Sequence, residues 1–304
     1  MKIRITKIFF MITIFILCIF QKTGCAQIYN INIDGVNISC VNFSIPSDNN
    51  HLEEIITPII KTVKNNLGDN LTISEVRMPN PLLINFKLDM QSENKNDFEL
   101  IIGEFENISI KINKAIQNNI EDYSILDNWN IELFDNNKSI LKIDSGVNTE
   151  SNGVFNSLYL NDTLSLKYIN SFENNYSRLY NNTKKELPEN LNKSFSNIQD
   201  LRTYINSNRG FDCLLNFSDL KYICIIIEND SSNSLNLSNL KDCKSAEYID
   251  LYLFKNISIS EFPELNNLKG LCIHNADIEE ADISNLQNRL SNCNVSLISN
   301  MEIY

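Results

Sequence analysis

Ser218-Asp219-Leu220-Lys221-Tyr222-Ile223-Cys224-Ile225 and Asn266-Asn267-Leu268-Lys269-Gly270-Leu271-Cys272-Ile273 align without a gap, 48 residues apart. Between them lies Tyr248-x-x-Leu251-x-Leu253-x-x-Asn256, and beyond them Leu290-x-x-Cys293-x-Val295. Taking Ile223, Leu251, Leu271 and Cys293 as equivalent gives steps of 28, 20 and 22 residues. Repetition on this scale marks stacked units, because each unit carries an apolar edge that only a neighbour can cover.

The L-x-x-L-x-L spacing, with Asn256 at the position of the repeat's Asn, resembles irregular leucine-rich repeats, about four units over roughly 213–304. Ala276 replaces the Asn of the third unit, the second opens with Tyr, and the fourth is degenerate. The resemblance implies a short α/β solenoid in which each unit gives one strand, leucines inward and intervening residues outward. The outward columns are then Tyr222, Asp250, Gly270, Asn292; Cys224, Tyr252, Cys272, Asn294; and Ile226, Phe254, His274, Ser296. From them Tyr222, Ile226, Asp250, Tyr252, Phe254 and His274 are the candidate partner-binding residues, unless the N-terminal region or the 174–193 segment packs over them. Cys224 and Cys272 fall two strands apart, about 10 Å, beyond the roughly 7 Å a disulfide spans.

Upstream, residues 27–173 read as an α+β domain. Ile28–Asp34 and Val36–Ile45 alternate apolar with polar around Asp34-Gly35, a type I′ hairpin dipeptide. Leu52, Ile55, Ile56, Ile59, Ile60 and Val63 then fall at helical spacing, with Asn49 or Asn50 as cap, Pro58 inside the pattern and Gly68 past its end. Strands are expected at 71–77, 82–90, 98–105 and 107–112, a short helix over 114–122, and a second hairpin around Asp135-Asn136-Asn137-Lys138. Trp129, the sole tryptophan, is expected to anchor this core, with ligand stacking as the other reading. The Asn- and Lys-rich stretch 174–195 reads as a polar connection, with 196–304 the repeat domain. A strand pair with a helical spacer would look similar.

Residues 1–26 have the layout of a secretory signal: Lys2, Arg4 and Lys7, an apolar run from Ile8 to Phe20, then Gly24-Cys25-Ala26. The run is shorter than the roughly 20 residues of a spanning helix, so no stable membrane span is expected after cleavage. Lipidation at Cys25 is the rival reading. Six cysteines then remain, as disulfides or as buried free thiols. The 49 asparagines form 14 Asn-x-Ser/Thr triplets, which fit a glycosylated protein or simply strand-like alternation.

The chain carries 26 Lys+Arg against 38 Asp+Glu, net −12, with no basic stripe for a nucleic acid. Without residues 1–26 the balance is 22 against 38, spread over both halves, which favours a neutral or basic protein partner. Two histidines, eight glycines and no HExxH, GxSxG, P-loop or GxGxxG offer no catalytic, cofactor or metal motif. Cys272 and His274, two apart on one strand, form a conceivable thiolate–imidazole pair without an orienting third group. Asp277, Glu279, Glu280 and Asp282 lack EF-hand spacing and read as a solvated turn. The expectation is a secreted or surface-exposed, non-enzymatic binding module. An extracytoplasmic hydrolase with paired carboxylates in 27–170, and a structural envelope component, are the alternatives.

Overall fold

Antiparallel hairpins open the structure, a computed structural model that describes residues 28–41, 49–80, 83–91, 97–119, 128–147, 154–228, 235–254, 257–274 and 278–298. Residues 1–26, expected to be a secretory signal, lie outside the described residues, Cys25 included, as do Asn256, Ala276 and Asp277. Strands β1 (Ile28–Ile33) and β2 (Val36–Val41) turn at Asp34-Gly35, with φ of 51° and 83°. β5 (Asn128–Asp135) and β6 (Lys138–Val147) turn at Asn136-Asn137, with φ of 49° and 63°. Two successive positive φ values are what a two-residue hairpin between right-twisted strands demands, and Asn, Asp and Gly tolerate them. β3 (Leu71–Asn80) and β4 (Leu83–Met90) form the hairpin between.

Two helices link these hairpins. α1 (Asn49–Asn66) runs through Pro58 and carries the chain from β2 to its parallel neighbour β3, and α2 (Phe98–Asn119) carries it from β4 to β5. The hairpin–helix unit thus occurs twice before a third hairpin. α2 replaces the strands expected at 98–105 and 107–112 and takes in 114–119 of the helix expected over 114–122, whose last three residues lie outside the described ones. Phe98, Ile101, Ile102, Phe105, Ile108, Ile112 and Ile116 are buried, each three or four residues from another of the set, which defines one side of a helix. The alternation in Asn107-Ile108-Ser109-Ile110 had pointed to a strand, but Ser109 is itself buried and donates to the Glu106 carbonyl oxygen.

From β7 (Val154–Leu160), which pairs antiparallel with β6, every further strand is parallel to the one before. These are β8 (Arg178–Asn181), β9 (Asp200–Tyr204), β10 (Tyr222–Ile227), β11 (Tyr248–Leu253), β12 (Gly270–His274) and β13 (Asn294–Ile298). Among the described residues the product is a mixed α/β protein with one open sheet of thirteen strands lying in chain order. Short returns join the parallel strands: α3 (Thr163–Lys167), 3-10 turns at 169–171, 193–195, 208–216, 237–242 and 259–261, and α4 (Glu280–Arg289). Leu158, Leu179, Leu201, Ile223, Ile249, Leu271 and Val295 are register neighbours in succession, at intervals of 21 to 26 residues.

The sheet runs unbroken through 174–195, the stretch expected to be a polar connection, because β8 pairs on both sides. Asparagines within it and on either side of it serve its backbone. Asn181 Nδ2 donates to the Lys185 carbonyl (2.6 Å), Asn170 Oδ1 accepts from the Asn192 N–H (2.8 Å), and Asn216 joins Leu191 N–H (3.2 Å) to the Glu189 carbonyl (2.7 Å). Irregular returns need such partners for their main-chain groups, so a composition typical of linkers here builds ordered structure.

Glu186 does similar work with a charge. Its Oε1 accepts from the N–H groups of Asn206 (2.5 Å) and Ser207 (2.6 Å) at the start of the 208–216 turn. A Cβ on Gly210 would sit 2.3 Å from that oxygen and 3.2 Å from Ile205 Cγ2. The carboxylate is held and cannot yield cheaply, so Gly210→Ala is expected to destabilise by about 1–3 kcal/mol. Gly103, inside α2 with nothing within 4 Å of its would-be Cβ, is expected to show the opposite sign. There Gly103→Ala should stabilise by about 0.5–1 kcal/mol. Urea unfolding followed by circular dichroism reads both.

Candidate functional site

The sheet has one side in the core and one side open, and the open side of the parallel strands gathers the polar and aromatic residues. Cα register sets Tyr222, Tyr248, Gly270 and Asn294 in one row, Cys224, Asp250, Cys272 and Ser296 in the next, and Ile226, Tyr252, His274 and Ile298 in the third. The rows expected from sequence are therefore corrected in β11 and β13, each by two residues. The 48-residue separation divides as 26 and 22 rather than 28 and 20. The L-x-x-L-x-L template had matched Leu251 and Leu253, but Ile249 is the residue that pairs with Ile223 and Leu271.

This shift decides what meets what. Tyr222 and Tyr248 become neighbours and stack, centroids 5.1 Å apart and planes 4° from parallel. The Tyr248 ring lies over Gly270, where an added Cβ would come within 2.9 Å of it. Tyr252 stacks on His274 at 3.9 Å. Asp250 moves beside Cys272, and Cys272 Sγ lies 3.4 Å from His274 Nε2. The donor atoms of Asp250, Cys272 and His274 all fall within 4.8 Å of one another, a set that could hold a metal ion. Partial desolvation raises the pKa of the Asp250 carboxyl against the pull of His274; it lowers that of His274 against Asp250, and raises that of the Cys272 thiol against a hydrogen bond from Ser296.

Of the six expected partner-binding residues, Tyr222, Asp250 and Phe254 are exposed, and Tyr252 is half-buried. Ile226 and His274 are corrections: both are buried, at 0% and 9% exposure. They lie outside the main core, with Ile226 flanked in register by Tyr204 and Tyr252. Large side chains packed edge to edge along a row cover the small one between them.

The same side continues beyond the expected repeats. Tyr159 stacks on Tyr180 at 4.7 Å with the Lys142 ammonium over its other side, and the Tyr180 hydroxyl donates to Asp200 Oδ2 at 2.8 Å. Burial pushes the pKa of Asp200 up, while Tyr180 and Arg178 draw it down. Sequence reading missed these residues because it began the stack at 213. The spacing of Leu158, Leu179 and Leu201, 21 and 22 residues apart, is the signal that could have found them.

Glu75 and Glu132 line a cleft of about 330 Å³ on the open side of β3–β6, with Arg77, Lys87, Phe134 and Lys142. Lys87 lies between the two glutamates in register, its ammonium 4.2 Å from the Phe134 ring centre. Lys87 of the strand between them thus separates the two glutamates in register. All six described cysteines are free, and Cys224 and Cys272 sit two strands apart as expected. Among the described residues no helix is long and apolar enough to cross a membrane. No protein-family model, no curated protein and no solved structure matches the chain.

Proposed function

We propose that the chain is an exported, non-enzymatic protein-binding module whose recognition surface is the open side of β10–β13, and that its parallel strands form a leucine-rich-repeat-like solenoid. The solenoid reading is supported by intervals of 21 to 26 residues between register neighbours, by inward Leu or Ile at most of them, and by a single short return per strand. One observation carries the binding reading. Six large apolar side chains are exposed among the described residues, and four of them, Tyr222, Tyr248, Phe254 and Ile298, stand on or at the end of these strands on the open side. Aromatic anchors are typical of the centre of an interface. The acidic balance of the exported chain selects a neutral or basic partner.

Capture of partners from the native extracellular fraction tests this. The double variant Tyr248→Asp/Phe254→Asp is expected to lose capture by about 30-fold or more, the loss of a hot spot worth about 2 kcal/mol. Leu100→Asp, at an exposed side chain on α2, should leave capture intact. A folded double variant that still captures as wild type does would overturn the assignment of this face.

A further inference from the structure

We propose that Asp250, Cys272 and His274 form a zinc-class metal site on the open side of β11 and β12. Their donor atoms, a carboxylate oxygen, the thiol sulfur and imidazole Nε2, lie within 4.8 Å of one another. Register imposes this closeness: Asp250 is the direct neighbour of Cys272, and His274 follows two residues along, so all three side chains leave the same side of the sheet. A tetrahedral zinc ion with Zn–S of about 2.3 Å and Zn–N of about 2.0–2.1 Å holds sulfur and nitrogen about 3.6 Å apart. The observed separation is 3.4 Å. Asp250 is exposed and turns about two single bonds, so its carboxylate closes the remaining gap without moving the backbone.

The surroundings favour an ordered site. Tyr252 stacks on the His274 ring with planes 6° apart and fixes the plane in which Nε2 points. Thiolate and imidazole together select a borderline-soft divalent metal over calcium or magnesium, which take oxygen ligands. Three protein donors leave a fourth position for water or an incoming ligand, the pattern of an open site rather than a closed structural one. Binding forms a metal–sulfur bond and sends the thiol proton to solvent, with no change of oxidation state. The site lies on the same open side as the proposed recognition surface, but its three donors are not the residues substituted to test that surface, so the two readings can fail separately.

The test is a titration of the full exported chain, kept reduced by a phosphine, with cobalt(II) followed by zinc(II). The expected result is a thiolate-to-cobalt charge-transfer band and strong visible bands of a four-coordinate ion, saturating at one ion per chain and bleached by zinc. Cys272→Ser should abolish the charge-transfer band, and Asp250→Asn and His274→Ala should each weaken binding by about 10- to 100-fold or more. Cys224→Ser, at the cysteine on the other side of Asp250 in register, should leave the band unchanged. His274 is nearly buried, so if its variant fails to fold, the exposed Asp250→Asn carries the test. No charge-transfer band in the folded wild type, a band retained in Cys272→Ser, a band lost in Cys224→Ser, or unchanged affinity in Asp250→Asn would each overturn the site.

Discussion

Glu106→Ala is expected to destabilise the protein by roughly 3–5 kcal/mol, because it strips one buried acceptor group from three donors at once. Glu106 lies on α2 at 4% exposure. Its carboxylate accepts from the N–H of Glu173 (3.0 Å), the N–H of Asn174 (3.2 Å) and the hydroxyl of Tyr176, itself 1% exposed. One side chain thus ties the helix of the hairpin region to the loop that leads into β8. The carboxyl pKa is raised above its ordinary 4.5, burial outweighing the three hydrogen bonds that favour the charge, with Glu173 adding to the rise. The folded state therefore holds the proton more tightly than the unfolded state does. Its stabilising contribution is full below the unfolded value and declines as pH rises through the folded one. The stability gap between wild type and Glu106→Ala should then widen as pH falls toward 4.5 and narrow above it. Urea midpoints measured across that range check it; a gap that widens with rising pH would show that the hydrogen bonds outweigh burial.

How much of this was legible in the sequence depended on whether the signal was local. Asp34-Gly35 and Asn136-Asn137 announced their hairpins because the turn chemistry is carried by the two residues themselves. α2 was misread because a four-residue alternation is compatible with either period, and the buried Ser109 and Glu106 broke its apolar side with polar groups satisfied inside the fold. The repeats were visible at 218–225 and 266–273, where the match has no gap. Strand register within the unit between them was not, since Ile249, Leu251 and Leu253 all alternate and all point to the core. A shift of two residues preserves that pattern while changing every lateral neighbour. Asp250, Cys272 and His274 were each visible as residues, but only the pairing of Asp250 with Cys272 makes them a cluster.

Trp129→Ala is the second large effect, expected at about 3–5 kcal/mol from lost packing and the cavity left behind. The indole on β5 is 1% exposed, which places it in the core as expected from sequence, and its Nε1–H donates to Asn113 Oδ1 on α2 at 2.6 Å. Its own main chain stays held, since Ser145 Oγ accepts from the Trp129 N–H at 2.8 Å and donates to its carbonyl at 3.3 Å. The loss should therefore fall on helix–sheet packing, not on the β5–β6 pairing. Trp129→Phe keeps most of the ring contact and should cost less, with the hydrogen bond contributing about 1 kcal/mol. The wild-type indole also serves as a reporter, because no other tryptophan is present. All but two of the buried apolar residues from Ile33 to Cys293, Tyr204 and Ile226 excepted, form one continuous cluster that reaches every strand from β1 to β12, with Val295 and Leu297 of β13 packed against it. Fluorescence of Trp129 and far-ultraviolet circular dichroism should accordingly share one unfolding midpoint in urea. A fluorescence transition that precedes the dichroism would mean that the hairpin–helix part melts alone, and that the unbroken sheet does not make it one cooperative unit with the parallel strands.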